Sequence, residues 1–233
     1  MPNRTSVSVG RSSVRRTAPT VDVVLLTPHA RRLSVLLERV EGARSKERWA
    51  LPWEAMQSGE TIEESAARLS RGALGSAPSL VEQVAAYGDG RRHPSGAPLS
   101  VAFLALVAAG APAPVGGSTA WFPIDEIPAL APRQRAMLDG ALHAVRARLE
   151  HSPIAFRLLP TTFTLSELQE IYEILLGRRL HKASFRRALH AAWLVEPTDE
   201  WRSEGRGRPA QLFRYSPRKR RSSRRGVRFE GME

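Results

Sequence analysis

The apolar pattern of the chain changes period near residue 150, and this change divides the fold into two different units. Before it, short apolar runs occur in pairs, residues 21–26 with 33–37 and residues 80–87 with 99–107, as expected of β-strands. After it, apolar residues recur at helical spacing and end in a short alternating segment. A β-rich first part and a helical second part in 233 residues predict an α+β protein of two domains.

Two helices are expected in the first part. Thr61 to Glu64 has the form of a capping box, and apolar residues follow at helical spacing as far as Ala73. Residues 132–149 have the pattern of a longer helix that follows the second strand pair. Two strand pairs that flank one helix and are followed by a second helix are typical of a small α/β sandwich. We place this domain at residues 20–150.

The second part has the element order of a winged helix-turn-helix. Thr164 to Glu167 is another capping box, and Gly177 is expected to end the helix that it begins. A second helix is predicted over residues 182–193, followed by a glycine-rich stretch and a hairpin. Helix, short turn, helix and hairpin in this order predict a winged helix-turn-helix over residues 151–215.

The net charge of +12 is unevenly distributed. Residues 21–150 carry 14 basic and 14 acidic side chains, whereas residues 151–233 carry 17 basic and 9 acidic ones. A neutral body followed by a basic C-terminal third predicts a small metabolite as the partner of the first domain and nucleic acid as the partner of the second. Residues 1–19 and 216–233 are rich in arginine and serine, and we expect them to be disordered tails.

Several classes of protein and site are excluded by composition. The chain has no cysteine, which rules out disulfides, a thiol nucleophile and cysteine-based zinc sites. It has no run of about 18 apolar residues and no secretory signal, so a cytoplasmic protein without a membrane partner is expected. His181 and His190 have no second ligand at metal-binding spacing, so no metal site is expected there.

The stretch from Trp49 to Arg68 resembles the opening of a Nudix box, the motif of enzymes that cleave pyrophosphates. Glu60, Arg68 and Gly75 stand at the spacing of that motif. Its first glycine and its metal-binding glutamates are replaced by Glu54, Leu69, Gly72 and Ala73. Because Mg²⁺ needs several hard oxygen ligands, the resemblance implies a Nudix fold with no catalytic residues and no metal or other cofactor.

The C-terminal part resembles the winged helix of the NrtR family of Nudix-related transcriptional regulators. The segments that carry this resemblance are residues 163–169, 177–178, 185–187 and 205–210. Further similarity to the family occurs at residues 83–89, 121–128 and 155–160. The resemblance covers about residues 20–215. It implies a homodimeric repressor that binds a palindromic double-stranded DNA operator and senses a nucleotide-like effector such as ADP-ribose, in NAD-related metabolism. Where relatives commonly have a histidine before the last Nudix helix, this chain has Gln134.

Six residues are candidates for contact with the effector. Trp53 is an aromatic side chain of the kind that stacks on a base, although packing is the more ordinary role. An ion pair between Glu60 and Arg68 is the structural alternative for those two residues. The candidates are Arg48, Trp53, Glu60, Arg68, Asp89 and Arg91.

The candidates for DNA contact lie on the second helix and in the segment after it. Phe185, Leu189 and Trp193 are spaced to form the buried side of the helix, which directs Arg187 to the opposite side. The Gly-Arg-Gly-Arg-Pro segment 205–209 suits a thin wing that places guanidinium groups in the minor groove. The candidates are Lys182, Ser184, Arg186, Arg187, His190, Arg206 and Arg208.

Two other functions fit the same sequence. The first is an active Nudix hydrolase of nucleoside-diphosphate derivatives, with an atypical metal site made of Glu54, Glu60, Glu63 and Glu64. The second is a nucleic-acid-binding protein without sequence preference, in which the basic tails supply a salt-dependent affinity for phosphates.

Overall fold

The first domain is built on one mixed, seven-stranded sheet. The computed structural model describes residues 18–40, 48–110, 117–203, 209–216 and 227. The strands are β1 (Thr20–His29), β2 (Arg32–Arg39), β3 (Trp49–Ala50), β4 (Trp53–Ala55), β5 (Leu80–Tyr87), β6 (Ser100–Leu106) and β7 (Thr119–Pro123). The main path through the sheet is β3-β2-β1-β6-β5, with β4 paired to β1 and β7 paired to β2. β1 and β6 are parallel, and the other pairs are antiparallel.

Two helices cover opposite faces of this sheet and make it a sandwich. They are α1 (Ile62–Leu74) and α2 (Pro132–Leu149). Val23 and Leu25 of β1 belong to the core cluster of α1, whereas Val24 and Leu26 belong to the cluster of α2. Because neighbouring residues of a strand point to opposite faces, β1 is buried on both sides and reads as a continuous apolar run.

Both predicted capping boxes are confirmed. The Thr61 hydroxyl accepts from the Glu64 N–H at 3.2 Å, and the Glu64 carboxylate accepts from the Thr61 N–H at 2.9 Å. Thr164 and Glu167 repeat this arrangement, with distances of 3.1 Å and 2.6 Å. The helix after Thr164 ends at Gly177, where φ is +72° and glycine avoids the steric penalty of a Cβ atom.

The second domain is a winged helix-turn-helix, as predicted. Its three strands form an antiparallel sheet in the order β8-β10-β9. After a 3-10 helix at Ile154–Leu158, its elements are β8 (Thr162–Phe163), α3 (Leu165–Leu176), α4 (Lys182–Ala192), β9 (Val195–Arg202) and β10 (Ala210–Tyr215).

The two domains share one hydrophobic core. Leu149 at the end of α2 and Leu158 of the 3-10 helix are fully buried in the same cluster as Leu168 and Tyr172 of α3. The Leu158 carbonyl also accepts from the Ala109 N–H of the first domain at 3.0 Å. The two domains are therefore connected by close packing. A displacement of the C-terminal end of α2 is transmitted directly to α3.

Several expectations are corrected or lie outside the described residues. The prediction that Trp193 belongs to the buried side of α4 is wrong: the helix ends there with φ at +53°, and the side chain is 49% exposed. Val227, within the segment expected to be a tail, is buried in the shared core. Arg206 and Arg208 lie outside the described residues, and so does most of both expected tails. Among the helices of the described part, none is long and apolar enough to cross a membrane.

Candidate effector face and DNA-binding helix

Arg68 of α1 binds two of the four glutamates at the Nudix motif, Glu54 and Glu60. Its Nε and Nη2 donate to the two oxygens of Glu60, each at 2.8 Å. Its Nη1 donates to Glu54 at 2.6 Å, and the Ser65 hydroxyl donates to the other oxygen of Glu54 at 3.0 Å. These bonds stabilise the charged forms, so the pKa of Glu60 is lowered and the pKa of Arg68 is raised.

The same contacts bear on magnesium, which Nudix hydrolases use. Glu54 and Glu60 are held by a guanidinium, and Glu64 accepts the hydrogen bonds of the helix cap. Within the described ranges, no group of three or more His, Asp or Glu side chains is arranged to hold a metal ion. Three of the four carboxylates that the hydrolase alternative would use for Mg²⁺ therefore already have partners in the protein.

Asp89 and Arg91 lie together on the exposed loop between β5 and β6. The Arg91 N–H donates to Asp89 at 3.1 Å, and its guanidinium lies 3.4 Å from the other carboxylate oxygen. Half-buried Trp53 contacts this loop through His93, with ring centroids 5.2 Å apart in an edge-to-face arrangement. Arg48 is exposed immediately before β3, and no described side-chain contact joins it to the other candidates.

A buried polar cluster lies beneath Trp53 and this loop. The carboxylate of Asp22, which is fully buried on β1, accepts from His93 Nε2 at 2.8 Å and from Gln134 Nε2 at 2.9 Å. The Thr20 hydroxyl donates to its second oxygen at 2.9 Å. A carboxylate this deep is stable only when donors surround it. His93 and Gln134 are 71 and 112 residues from Asp22 in the sequence, so no spacing rule could reveal the cluster.

Helix α4 presents a basic side to solvent. Phe185 and Leu189 are fully buried, whereas Lys182, Arg187 and His190 are exposed. Ser184 and Arg186 are half-buried at the margin between the two sides. The structure therefore separates these five DNA-contact candidates into three on the exposed side and two at its edge. An exposed basic side at the start of the second helix is the arrangement that enters the major groove in helix-turn-helix proteins.

Known proteins share both halves of this architecture. The NUDIX domain model matches residues 16–140, and the model of the NrtR DNA-binding winged helix domain matches residues 155–215. The chain is 30% identical over 204 residues to the ADPR responsive transcriptional repressor NtrR of Acinetobacter baylyi, covering 84% of this chain and 81% of that protein. The chain belongs to the NrtR family.

Solved NrtR structures have the same overall arrangement. NrtR of Shewanella oneidensis in complex with a 27mer DNA is 30% identical, with a TM-score of 0.72 over 85% of this chain and 94% of that chain. NrtR of the same organism in a second crystal structure is 27% identical, with a TM-score of 0.73 over 86% of this chain and 95% of that chain. This chain therefore shares with those structures both domains and the order in which they follow each other.

The helix-turn-helix of this chain carries two further arginines, Arg179 and Arg202, that are not among the candidates for DNA contact. Arg179, in the turn between α3 and α4, has a side chain that is 89% exposed and lies 3.4 Å from Glu173. Arg202 at the end of β9 donates to Glu167 of the α3 cap at 2.6 Å. Consecutive arginines after Gly177 were the available signal for Arg179. Through this contact Arg202 links β9, the strand that leads into the wing, to α3.

The two domains also meet at a charged groove of about 490 Å³. Arg31, at the tip of the β1–β2 hairpin, forms an ion pair at 3.0 Å with Glu170 of α3. Arg32 forms a 2.6 Å pair with Asp125, which follows β7, and hydrogen bonding between them lowers the pKa of Asp125. The Nudix domain and the winged helix domain thus contact each other through the ion pair of Arg31 with Glu170 as well as through the shared core.

Proposed function

We propose that this NrtR-family protein is a transcriptional repressor whose Nudix domain binds ADP-ribose, or a similar nucleotide, without hydrolysing it. The repressor binds double-stranded operator DNA through the exposed side of α4 and the wing. It acts in the cytoplasm as a homodimer and controls genes of NAD-related metabolism. The name of the Acinetobacter relative, an ADPR responsive repressor, supports the choice of effector.

The observation that carries this proposal is the contact of Arg68 with both Glu54 and Glu60. Glu54 and Glu60 are two of the four carboxylates that the atypical metal site of the hydrolase alternative would need, and here the guanidinium of Arg68 binds both of them. The domain keeps the Nudix sandwich and loses the means to activate water. Binding without turnover is what an effector-sensing domain requires.

Effector and operator are coupled by differential binding. A ligand shifts the equilibrium between two arrangements only when it binds one of them more tightly. For a typical coupling energy of about 1–3 kcal/mol, ADP-ribose weakens operator binding about 5- to 150-fold. We place the effector between Trp53 and the loop of Asp89 and Arg91, where an aromatic ring and an exposed guanidinium can meet a base and a diphosphate.

Calorimetry with ADP-ribose and Mg²⁺, followed by chromatography of the nucleotide, separates sensing from catalysis. The proposal predicts saturable binding and recovery of intact ADP-ribose after prolonged incubation. Arg91→Ala weakens binding, and Arg135→Ala, on the outer side of α2, is the matched control. Conversion of ADP-ribose that requires Mg²⁺ and is abolished in Glu60→Gln would instead establish the hydrolase.

The assembly state is tested independently of the effector. Sedimentation of the full chain, with a mass of 25.7 kDa per protomer, should show a species of twice that mass. A dimer also requires two half-sites in the operator, separated by about one turn of B-DNA or a multiple of it. A monomer that binds a single half-site with full affinity would contradict the homodimer.

A further inference from the structure

The first turn of α2 is tied to the strand segment that carries Trp53. The side-chain amide of Gln134 is fully buried and pairs with the backbone of Leu51 at two points. Its Oε1 accepts from the Leu51 N–H at 3.1 Å, and its Nε2 lies 3.2 Å from the Leu51 carbonyl. Leu51 is only two residues before Trp53, and Val23 of β1 donates to the intervening Pro52 carbonyl at 2.9 Å. A displacement of Trp53 therefore pulls on Gln134.

The same turn of α2 is tied to the loop that carries Asp89 and Arg91. The Arg133 N–H donates to the Arg92 carbonyl at 3.1 Å, and Arg133 Nη1 donates to the Ala97 carbonyl at 2.6 Å. Arg133 is only 3% exposed, so its guanidinium is fixed under the loop rather than free in solvent. Arg133 therefore holds the loop that carries Asp89 and Arg91, and Gln134 holds the strand segment that carries Trp53.

Both ties meet at the carboxylate of Asp22, which accepts from Gln134 and from His93 of the loop. A hydroxyl chain closes the cluster from the other side. The Thr20 hydroxyl has a single proton, which it donates to Asp22 at 2.9 Å. The Ser100 hydroxyl therefore donates to the Thr20 oxygen at 2.7 Å, and the Ser100 oxygen accepts from Arg133 at 3.4 Å. Every member depends on the position of its neighbours, so the cluster changes as a unit.

The far end of α2 reaches the DNA-binding domain. An α-helix of 18 residues is about 27 Å long, enough to cross the sensor domain. Val145 and Leu149 in its last two turns are buried in the shared core with Leu168 and Tyr172 of α3. A hydrogen-bonded helix in a close-packed core moves as a body, so a shift of its first turn is delivered to the helix-turn-helix.

We propose that α2 is the element that couples the effector face to the winged helix, and that Gln134 is the positioning residue through which it detects the effector. This inference rests on the proposed function, in which a nucleotide binds beside Trp53. Gln134 does not itself touch the effector. It converts a movement of the segment from Leu51 to Trp53 into a movement of α2.

The test variant is Gln134→Leu, which keeps the size of the side chain and removes its hydrogen bonds. The matched control is Tyr87→Phe, because the Tyr87 hydroxyl donates to the Ala136 carbonyl of α2 at 3.4 Å from the β5 side, away from Leu51. For each protein, operator dissociation constants are measured by fluorescence anisotropy without ADP-ribose and with saturating ADP-ribose. The ratio of the two constants is the coupling.

The wild type and Tyr87→Phe should show the same coupling, about 5- to 150-fold. In Gln134→Leu we expect less than about a twofold effect of ADP-ribose, with operator binding in the absence of nucleotide within about threefold of wild type. A purely structural role would lower thermal stability and leave the ratio unchanged.

Full coupling in a folded Gln134→Leu protein would overturn the inference. Absence of any ADP-ribose effect on the wild type would instead overturn the proposed function on which it rests. If Gln134→Leu does not fold, hydrogen exchange of the wild-type protein decides. ADP-ribose should then change protection at Leu51, in the first turn of α2 and in α3, whereas a change confined to the loop would contradict coupling through α2.

Discussion

Arg68 and Glu60 form a two-point pair, in which Nε and Nη2 of the guanidinium each lie 2.8 Å from a different oxygen of the carboxylate. Two residues of the Nudix motif thus keep their spacing in a chain in which the metal-binding glutamates of that motif are replaced. The pair closes the turn before α1 onto the helix, and Glu54, at the position of the first motif glycine, adds a third contact. The remnant of the motif is an ion-pair cluster.

The first prediction concerns the pH dependence of this cluster. Because the pKa of Glu60 is lowered in the folded protein by its bonds to Arg68, its stabilising effect is present above the ordinary glutamate pKa of about 4.3 and is lost as the pH falls through the lowered value. Wild type should be more stable than Glu60→Gln in urea titrations at pH 7, and the difference should shrink at pH 3.5. A difference that does not change with pH would contradict the ion pair.

The second prediction concerns Glu38 on β2, where burial raises the pKa of the carboxyl. Its charged form is disfavoured in the folded state, so the penalty is absent at acidic pH and develops as the pH rises through the raised pKa. Glu38→Gln should therefore raise the urea midpoint at pH 7.5 and have little effect at pH 4. Glu200→Gln, at an exposed position of β9, is the control that should be neutral at both pH values.

The third prediction concerns the turn between β1 and β2. Ala30 and Arg31 both have left-handed backbones, with φ of +48° and +62°, which residues with a Cβ atom adopt at a cost. Two-residue hairpins of this kind favour asparagine at the first position. Ala30→Asn should therefore stabilise the protein by about 1 kcal/mol in thermal or urea unfolding. The same substitution at exposed Ala129, which has no positive φ, should not, and an equal gain at both positions would contradict the explanation.

How much of this the sequence could predict depends on the range of each interaction. The capped helices were predictable because a capping box joins residues three apart, as Thr61 and Thr164 show. The longer strands were predictable from their apolar runs. β3 and β8 have two residues each, too few to show alternation, and Trp193 followed the helical period up to the point where the helix ends.

The candidate site was predictable only in part for the same reason. The spacing of Glu60 and Arg68 within one motif suggested their ion pair, and the structure confirms it. The contacts of Gln134 with Leu51 and Asp22 join residues 83 and 112 positions apart, and the pairing of Arg31 with Glu170 depends on how the domains meet. Such contacts follow from the assembled fold and leave no local pattern.

The fourth prediction concerns Arg187, on the exposed side of α4. If its guanidinium binds a base edge in the major groove, Arg187→Ala weakens operator binding by about 1–3 kcal/mol, and discrimination against mutated operators falls. Arg135→Ala, which removes an equally charged side chain from α2, should leave operator affinity unchanged. A uniform loss on all DNA sequences would assign Arg187 to the phosphate backbone instead.

The most direct test of the central claim is an anisotropy titration of the full chain at fixed salt. The DNA is the region upstream of the gene for this protein, with a scrambled duplex as the control, and each titration is repeated with ADP-ribose. The account predicts preference for the native DNA and relief of that binding by ADP-ribose. Equal affinity for both duplexes, unaffected by ADP-ribose, would contradict it.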